Sequence, residues 1–86
     1  MGQKHKSKRK WLCVDCGDNT QLEHYFAKND VWFGAAGMPE TGMLCVGCLE
    51  TRIGRLLNRN DFTDAHINNH RKYAMSARLV DRLTRN

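Results

Sequence analysis

The chain has a single proline, Pro39, no internal repeat, and no cysteine outside two Cys-x-x-Cys pairs. It has no apolar run approaching the ~18 residues that a membrane span requires, so no membrane partner is expected. Its first ten residues, MGQKHKSKRK, contain neither an acid nor a hydrophobic stretch. Without an apolar leader there, the chain is expected in the cytoplasm, where thiols stay reduced and paired disulfides are disfavoured. A thioredoxin-type redox role is excluded as well, because such a pair needs a strand and helix within a larger α/β domain. Aromatic residues are 8% of the 86, against 41% hydrophobic and 27% charged. Such a chain builds one small domain with a thin core, close to the length at which an added staple is usual.

The staple is visible in the cysteines. Cys13/Cys16 and Cys45/Cys48 hold all four of them, with 28 residues between the inner members. Two such pairs supply four thiolates for one tetrahedral Zn²⁺, since each Cys-x-x-Cys turn brings two sulfurs to one side of a tight knuckle. One structural zinc is therefore expected, with its binding energy counted as folding energy. Gly17 directly after the first pair and Gly47 inside the second are read as residues free to take positive φ around the metal.

Charge falls in three blocks. Residues 1–10 carry Lys4, Lys6, Lys8, Arg9 and Lys10 and no acid, residues 11–50 carry Lys28 against six acids, and residues 51–86 carry eight Arg/Lys against three Asp. The blocks sum to +5, and a zinc held by four thiolates lowers the total to about +3. Basic ends suit a polyanionic partner, so nucleic acid is the expected one. Solvated tails and an ordinary polar helix face are the bland alternative.

The expected organisation is a basic arm over 1–10, a zinc-binding domain over 11–60, and a C-terminal extension over 61–86 with a basic amphipathic helix. Short strands are expected at 11–13, 21–26 and 43–44, and the glycine-rich stretch 34–42 reads as a loop. A helix is expected to begin inside the second cysteine pair. Its apolar stripe would be Leu49, Ile53, Leu56 and Leu57, with Arg52, Arg55 and Arg59 on another face and Gly54 inside it for a packing reason. A second helix is expected over 73–83, with Met75, Leu79 and Leu83 inward and Arg78, Arg82 and Arg85 outward. Trp11, Trp32, Phe26 and Phe33 are assigned to the core, because so small a domain has little else to bury. Lys8, Arg9, Lys10, Arg52, Arg55 and Arg59 are the candidate phosphate contacts.

A knuckle on a β-hairpin and a second at a helix N-terminus, sharing one metal, describe a treble clef: a small α+β zinc-binding domain, here followed by a C-terminal helix. A zinc ribbon would need a strand after Cys48, against which the Leu49/Ile53 stripe argues. The segment GMLCVGCLETRIGRLL at 42–57, with Cys13-Val14-Asp15-Cys16-Gly17, resembles the zinc site of recombination endonuclease VII-type proteins of the HNH/treble-clef superfamily. It also resembles small phage and bacterial zinc-motif proteins without an assigned activity, which implies a bacterial or phage-infected cell. The resemblance covers residues 13–57. Those nucleases place an Asp-His-x-His-type element between the knuckles and an Asn after the last cysteine. Here the corresponding residues are Leu22-Glu23-His24-Tyr25-Phe26, with one histidine, and Leu49. A hydrolytic site needs an activated water and a cation on the leaving oxygen, so the resemblance implies a non-catalytic descendant of the scaffold. Metal-dependent nuclease activity centred on His24 and a regulatory protein-interaction module are the alternatives. His66 and His70 form His-x-x-x-His, but the 17 residues from Cys48 to His66 exceed the usual finger spacer of ~12.

Overall fold

Two short helices carry most of the regular structure in the computed structural model, which describes residues 12–86. Lys8, Arg9, Lys10 and Trp11 lie outside the described residues. The first helix, α1, spans Val46–Ile53 and starts directly after Cys45 in extended conformation. It stops at Gly54, whose φ of +77° lets its N–H close back on Glu50 O at 2.8 Å. A left-handed glycine is the common end of a helix, because only a residue without Cβ adopts that conformation at no steric cost.

That stop corrects the expected continuation through Arg59. Leu56 is exposed, Leu57 is fully buried from outside the helix, and Arg52, Arg55 and Arg59 do not share a helix face. Nor does Gly54 serve close packing, since nothing lies within 4 Å of where its Cβ would stand.

The second helix, α2, spans Ala77–Thr84, four residues later than the expected start. Ser76 sets that start by accepting a hydrogen bond from Leu79 N at 3.0 Å through its hydroxyl. Serine at this position satisfies one of the orphan N–H groups of the first turn. Between the helices lie two 3₁₀ turns, Arg59–Asp61 and His66–Asn68. A π-helical turn, Asp30–Ala35, precedes α1.

Strand pairing among the described residues is limited to three isolated bridges, Leu12 with Asn19, Cys13 with Met43, and Ala27 with Phe62. The fold is thus a small α-rich one built around a cysteine cluster, and the expected strand over 21–26 does not form. The reason is local: Asn68 stands in for a neighbouring strand. Its carboxamide accepts from Phe26 N and donates to Phe26 O, both at 2.9 Å. Phe26 N is satisfied by that side chain, and Phe26 O by it together with Thr63 N at 3.1 Å, so no ladder over 21–26 is needed.

Leu44, Val46, Leu49, Leu57 and Leu79 are fully buried and form the centre of the core with Tyr25, Val31, Met38 and Phe62. Each buried leucine is worth about 1.5–3 kcal/mol relative to exposure. Phe62 and Leu79 come from the 61–86 segment, so that segment shares the core of the cysteine-bearing part. Phe26 and Phe33 are 54% and 45% exposed, contrary to the core assignment, and Tyr25 takes the inner position at 3%. Tyr25 fits there because its hydroxyl donates to Leu44 O at 2.9 Å while its ring meets Trp32 and Phe62 edge to face.

Candidate metal centre

The four cysteine sulfurs lie within 4.8 Å of one another. Cys16 Sγ and Cys45 Sγ, from opposite pairs, are 3.8 Å apart. Four sulfurs at about 2.3 Å from one tetrahedral Zn²⁺ sit about 3.8 Å from each other, so the Cys16–Cys45 separation suits such an ion and the cluster as a whole could hold one. Cys13 and Cys45 are buried, Cys48 is half-buried, and Cys16 faces solvent.

The first pair rides on a backbone turn. Cys13 N donates to Asp18 O at 2.8 Å, and Gly17 N donates to Cys13 O at 2.9 Å. Gly17 has φ +82°, as expected for the residue that folds the chain back. The second pair occupies the N-terminal end of α1, where unpaired N–H groups and the helix dipole favour thiolate. Here the expectation for Gly47 needs correcting. Gly47 lies within α1 without a positive φ, and a Cβ on it would stand 2.8 Å from Arg78 Nη1. Its lack of a side chain makes room for a guanidinium over the knuckle.

Electrostatics show how a cation would suit these sulfurs. Burial pushes the Cys48 thiol well up, with hydrogen bonds to the other three cysteines adding to the rise. Cys13 is the exception: burial opposes ionisation, but backbone N–H groups of Cys45, Cys16 and Asp15 bring it down to about 6. Like charges so close cannot all ionise unaided. A divalent cation removes that repulsion.

Two arginines, each paired with a carboxylate, brace the cluster. Glu23 is 8% exposed and receives four hydrogen bonds: Val46 N at 2.9 Å, Ser76 Oγ at 2.6 Å, and Arg78 Nε and Nη2 at 3.0 and 2.8 Å. It thereby joins the first residue of α1 to the cap of α2. Burial works against its charge, but Arg78, Ser76 and Val46 N hold the carboxyl below its ordinary value. Arg78 is held charged by Glu23 first and by the Cys45 sulfur as well. On the other side, Arg52 grips Asp15 of the first knuckle through two hydrogen bonds of 2.8 Å and donates to Ala36 O at 2.9 Å.

Of the arginines expected to contact phosphate, Arg52 is therefore engaged with Asp15, and Arg55 is clamped to the buried Asp61 at 2.8 and 2.7 Å. Arg59 is exposed and makes no ion pair among the described residues. Its backbone N–H donates to Arg85 O at 2.8 Å, which brings two basic residues to one edge. His24 is half-buried, with its ring 6.2 Å from that of Phe26, and does not join the cysteine cluster. His70 does not join it either, and the 3₁₀ turn at 66–68 ends before His70, so the two histidines do not ride one continuous helix.

Sequence reasoning missed Glu23, Ser76 and Arg78 as a unit, because 53 or more residues separate Glu23 from its partners. The one readable trace was Ser76 as a cap ahead of the Leu79/Leu83 pattern. No helix among the described residues is long and apolar enough to cross a membrane. No family model, no curated protein and no solved structure matches this chain.

Proposed function

We propose that this chain is a zinc-stabilised, non-catalytic module of treble-clef type that binds nucleic acid backbone through its basic N-terminal segment. The zinc reading rests on four sulfurs gathered within 4.8 Å, with the 3.8 Å between Cys16 Sγ and Cys45 Sγ matching a tetrahedral tetrathiolate. The treble-clef reading rests on where the pairs sit, one on a turn and one on the N-terminal end of α1.

The observation that carries the partner is charge segregation. Residues 12–86 contain nine Arg/Lys and nine Asp/Glu, so the whole formal charge of +5 belongs to residues 1–10. Within the neutral body Arg52, Arg55, Arg78 and Arg82 are each committed to a carboxylate. The contact set accordingly centres on Lys8, Arg9 and Lys10, with Arg59, and Arg85 in its long, solvent-exposed 3.6 Å pair with Asp81, as the edge that can extend it. Arg52 and Arg55 act on affinity only through the fold.

A phosphodiesterase reading has less behind it. The Glu23 carboxylate, the acid nearest His24 in sequence, is taken up by Val46 N, Ser76 and Arg78. An acid so engaged is a poor base for water.

Fluorescence anisotropy with a labelled duplex at two ionic strengths tests the proposal. Binding is expected to weaken steeply with salt, and changing Lys8, Arg9 and Lys10 to Gln is expected to flatten the log–log slope by about 0.9 per lost phosphate contact. Absence of binding at low salt, or a slope untouched by the triple change, rejects it.

A further inference from the structure

A groove of about 320 Å³ is lined by Tyr25, Phe26, Trp32, Phe33, Glu40 and Met43. Tyr25 is its buried wall. The indole N–H of Trp32 is committed to Pro39 O at 2.9 Å, so this residue offers the groove ring surface rather than a donor. Phe26 and Phe33 leave about half of their surface open to solvent. Glu40 is the only charged residue of the lining, is exposed, and has no ion pair among the described residues.

We propose that this groove receives an arginine side chain from a protein partner, with the guanidinium against the aromatic rings and paired to Glu40. Charge supports a cation: of the six acids in residues 12–50, Asp15, Glu23 and Glu50 are paired with Arg52, Arg78 and Arg82, which leaves Asp18, Asp30 and Glu40 against Lys28, and Glu40 is the one in the lining. Aromatic faces attract cations through the ring quadrupole, and desolvation beside apolar walls strengthens the attraction. Arginine suits the site better than lysine, because its planar group stacks on rings and meets a carboxylate with two parallel hydrogen bonds. The groove is only partly enclosed, and free small molecules bind firmly where most of their surface is enclosed. A side chain delivered by a larger partner does not need enclosure.

A nucleobase would also stack on these rings. Its phosphates, however, would meet Glu40 in a lining that contains no cation. This groove and the basic N-terminal segment are separate in sequence and opposite in charge, so the proposal stands apart from nucleic-acid binding.

The test is a titration of ¹⁵N-labelled, zinc-loaded full-length protein followed by the Trp32 indole and Phe33 amide resonances. The probes are acetyl-Gly-Arg-Gly-amide, its lysine and citrulline counterparts, and guanosine monophosphate. Saturable shifts with the arginine peptide are expected, with citrulline about tenfold weaker because it keeps the shape and loses the charge. Glu40→Gln and Phe33→Leu, both at exposed positions, are each expected to weaken arginine binding about fivefold with the thermal midpoint unchanged. No saturable shift with the arginine peptide overturns the proposal. Equal binding of citrulline, indifference to both substitutions, or tighter binding of guanosine monophosphate does so too.

Discussion

The two halves of the cysteine cluster are built by different means. Cys13 and Cys16 hang on a turn closed by backbone hydrogen bonds and tied to α1 by the partly exposed Asp15–Arg52 pair. Cys45 and Cys48 sit at the start of a helix whose Val46 and Leu49 are fully buried, and whose first free N–H is held by the Glu23 carboxylate. Buried apolar area and a satisfied buried carboxylate persist without a metal, whereas a turn of a few residues recovers little of its ordering entropy alone. The helical half is accordingly expected to be the preformed part of the site, and the turn half to gain most of its order when an ion binds.

The largest test of that asymmetry is removal of the metal. Structural zinc contributes about 10–16 kcal/mol in zinc-finger peptides, so a chelator should bring this small chain close to unfolding. Under mild conditions, where the apo chain is still partly folded, hydrogen exchange should separate the halves. Amides over 13–19 are expected to lose protection first, and those over 46–53 to retain a measurable part. Equal loss across both stretches would break the comparison.

Next in size is Glu23→Gln. Breaking a buried ion pair costs about 3–5 kcal/mol. The Arg78 side chain is 44% exposed, so the lower end, about 3 kcal/mol, is expected. Denaturant unfolding of the zinc-loaded protein measures it. Because the carboxyl of Glu23 sits below its ordinary value of 4.5 in the folded chain, the unfolded chain takes up its proton first as pH falls. The stabilisation is complete above about pH 4.5 and lost below it, as pH falls through the folded value. Acid also releases metal from thiolates, so the relevant quantity is the difference between wild type and Glu23→Gln. That difference should shrink in the same window.

The cysteine cluster was legible in the sequence because two Cys-x-x-Cys pairs at fixed spacing leave one economical chemistry, and the start of α1 was legible from the Leu49 stripe behind them. Its end was not, although Gly54 followed by Leu56 and Leu57 carries the mark of a left-handed stop. Apolar residues after a helix keep its period by accident when the chain turns back onto the same core, as Leu57 does. The arginines misled for a different reason. Periodicity sees where a side chain departs from the backbone, while its role depends on acids distant in sequence, such as Asp15 for Arg52 and Glu23 for Arg78. In the same way, aromatic type alone gave no sign that Phe26 and Phe33 would face outward while Tyr25 went in.

The smallest expected effect belongs to the tie on the turn half. In zinc-loaded protein, Asp15→Asn should move the thermal midpoint only slightly, because both partners are open to solvent and such pairs gain little over water. The shift should fade as salt is raised, since exposed charges are screened within about 8–10 Å at physiological ionic strength. Its effect should instead appear in metal exchange. Arg52 joins Asp15 of the first knuckle to α1 and to Ala36, so loosening it frees the turn that carries Cys13 and Cys16. Zinc transfer to a chelator is expected to speed up in Asp15→Asn about severalfold while equilibrium stability stays near that of the wild type. If Asp15→Asn destabilised the fold as much as Glu23→Gln, the two halves would be braced alike, and a metal-ordered turn docked on a preformed helix would no longer describe the site.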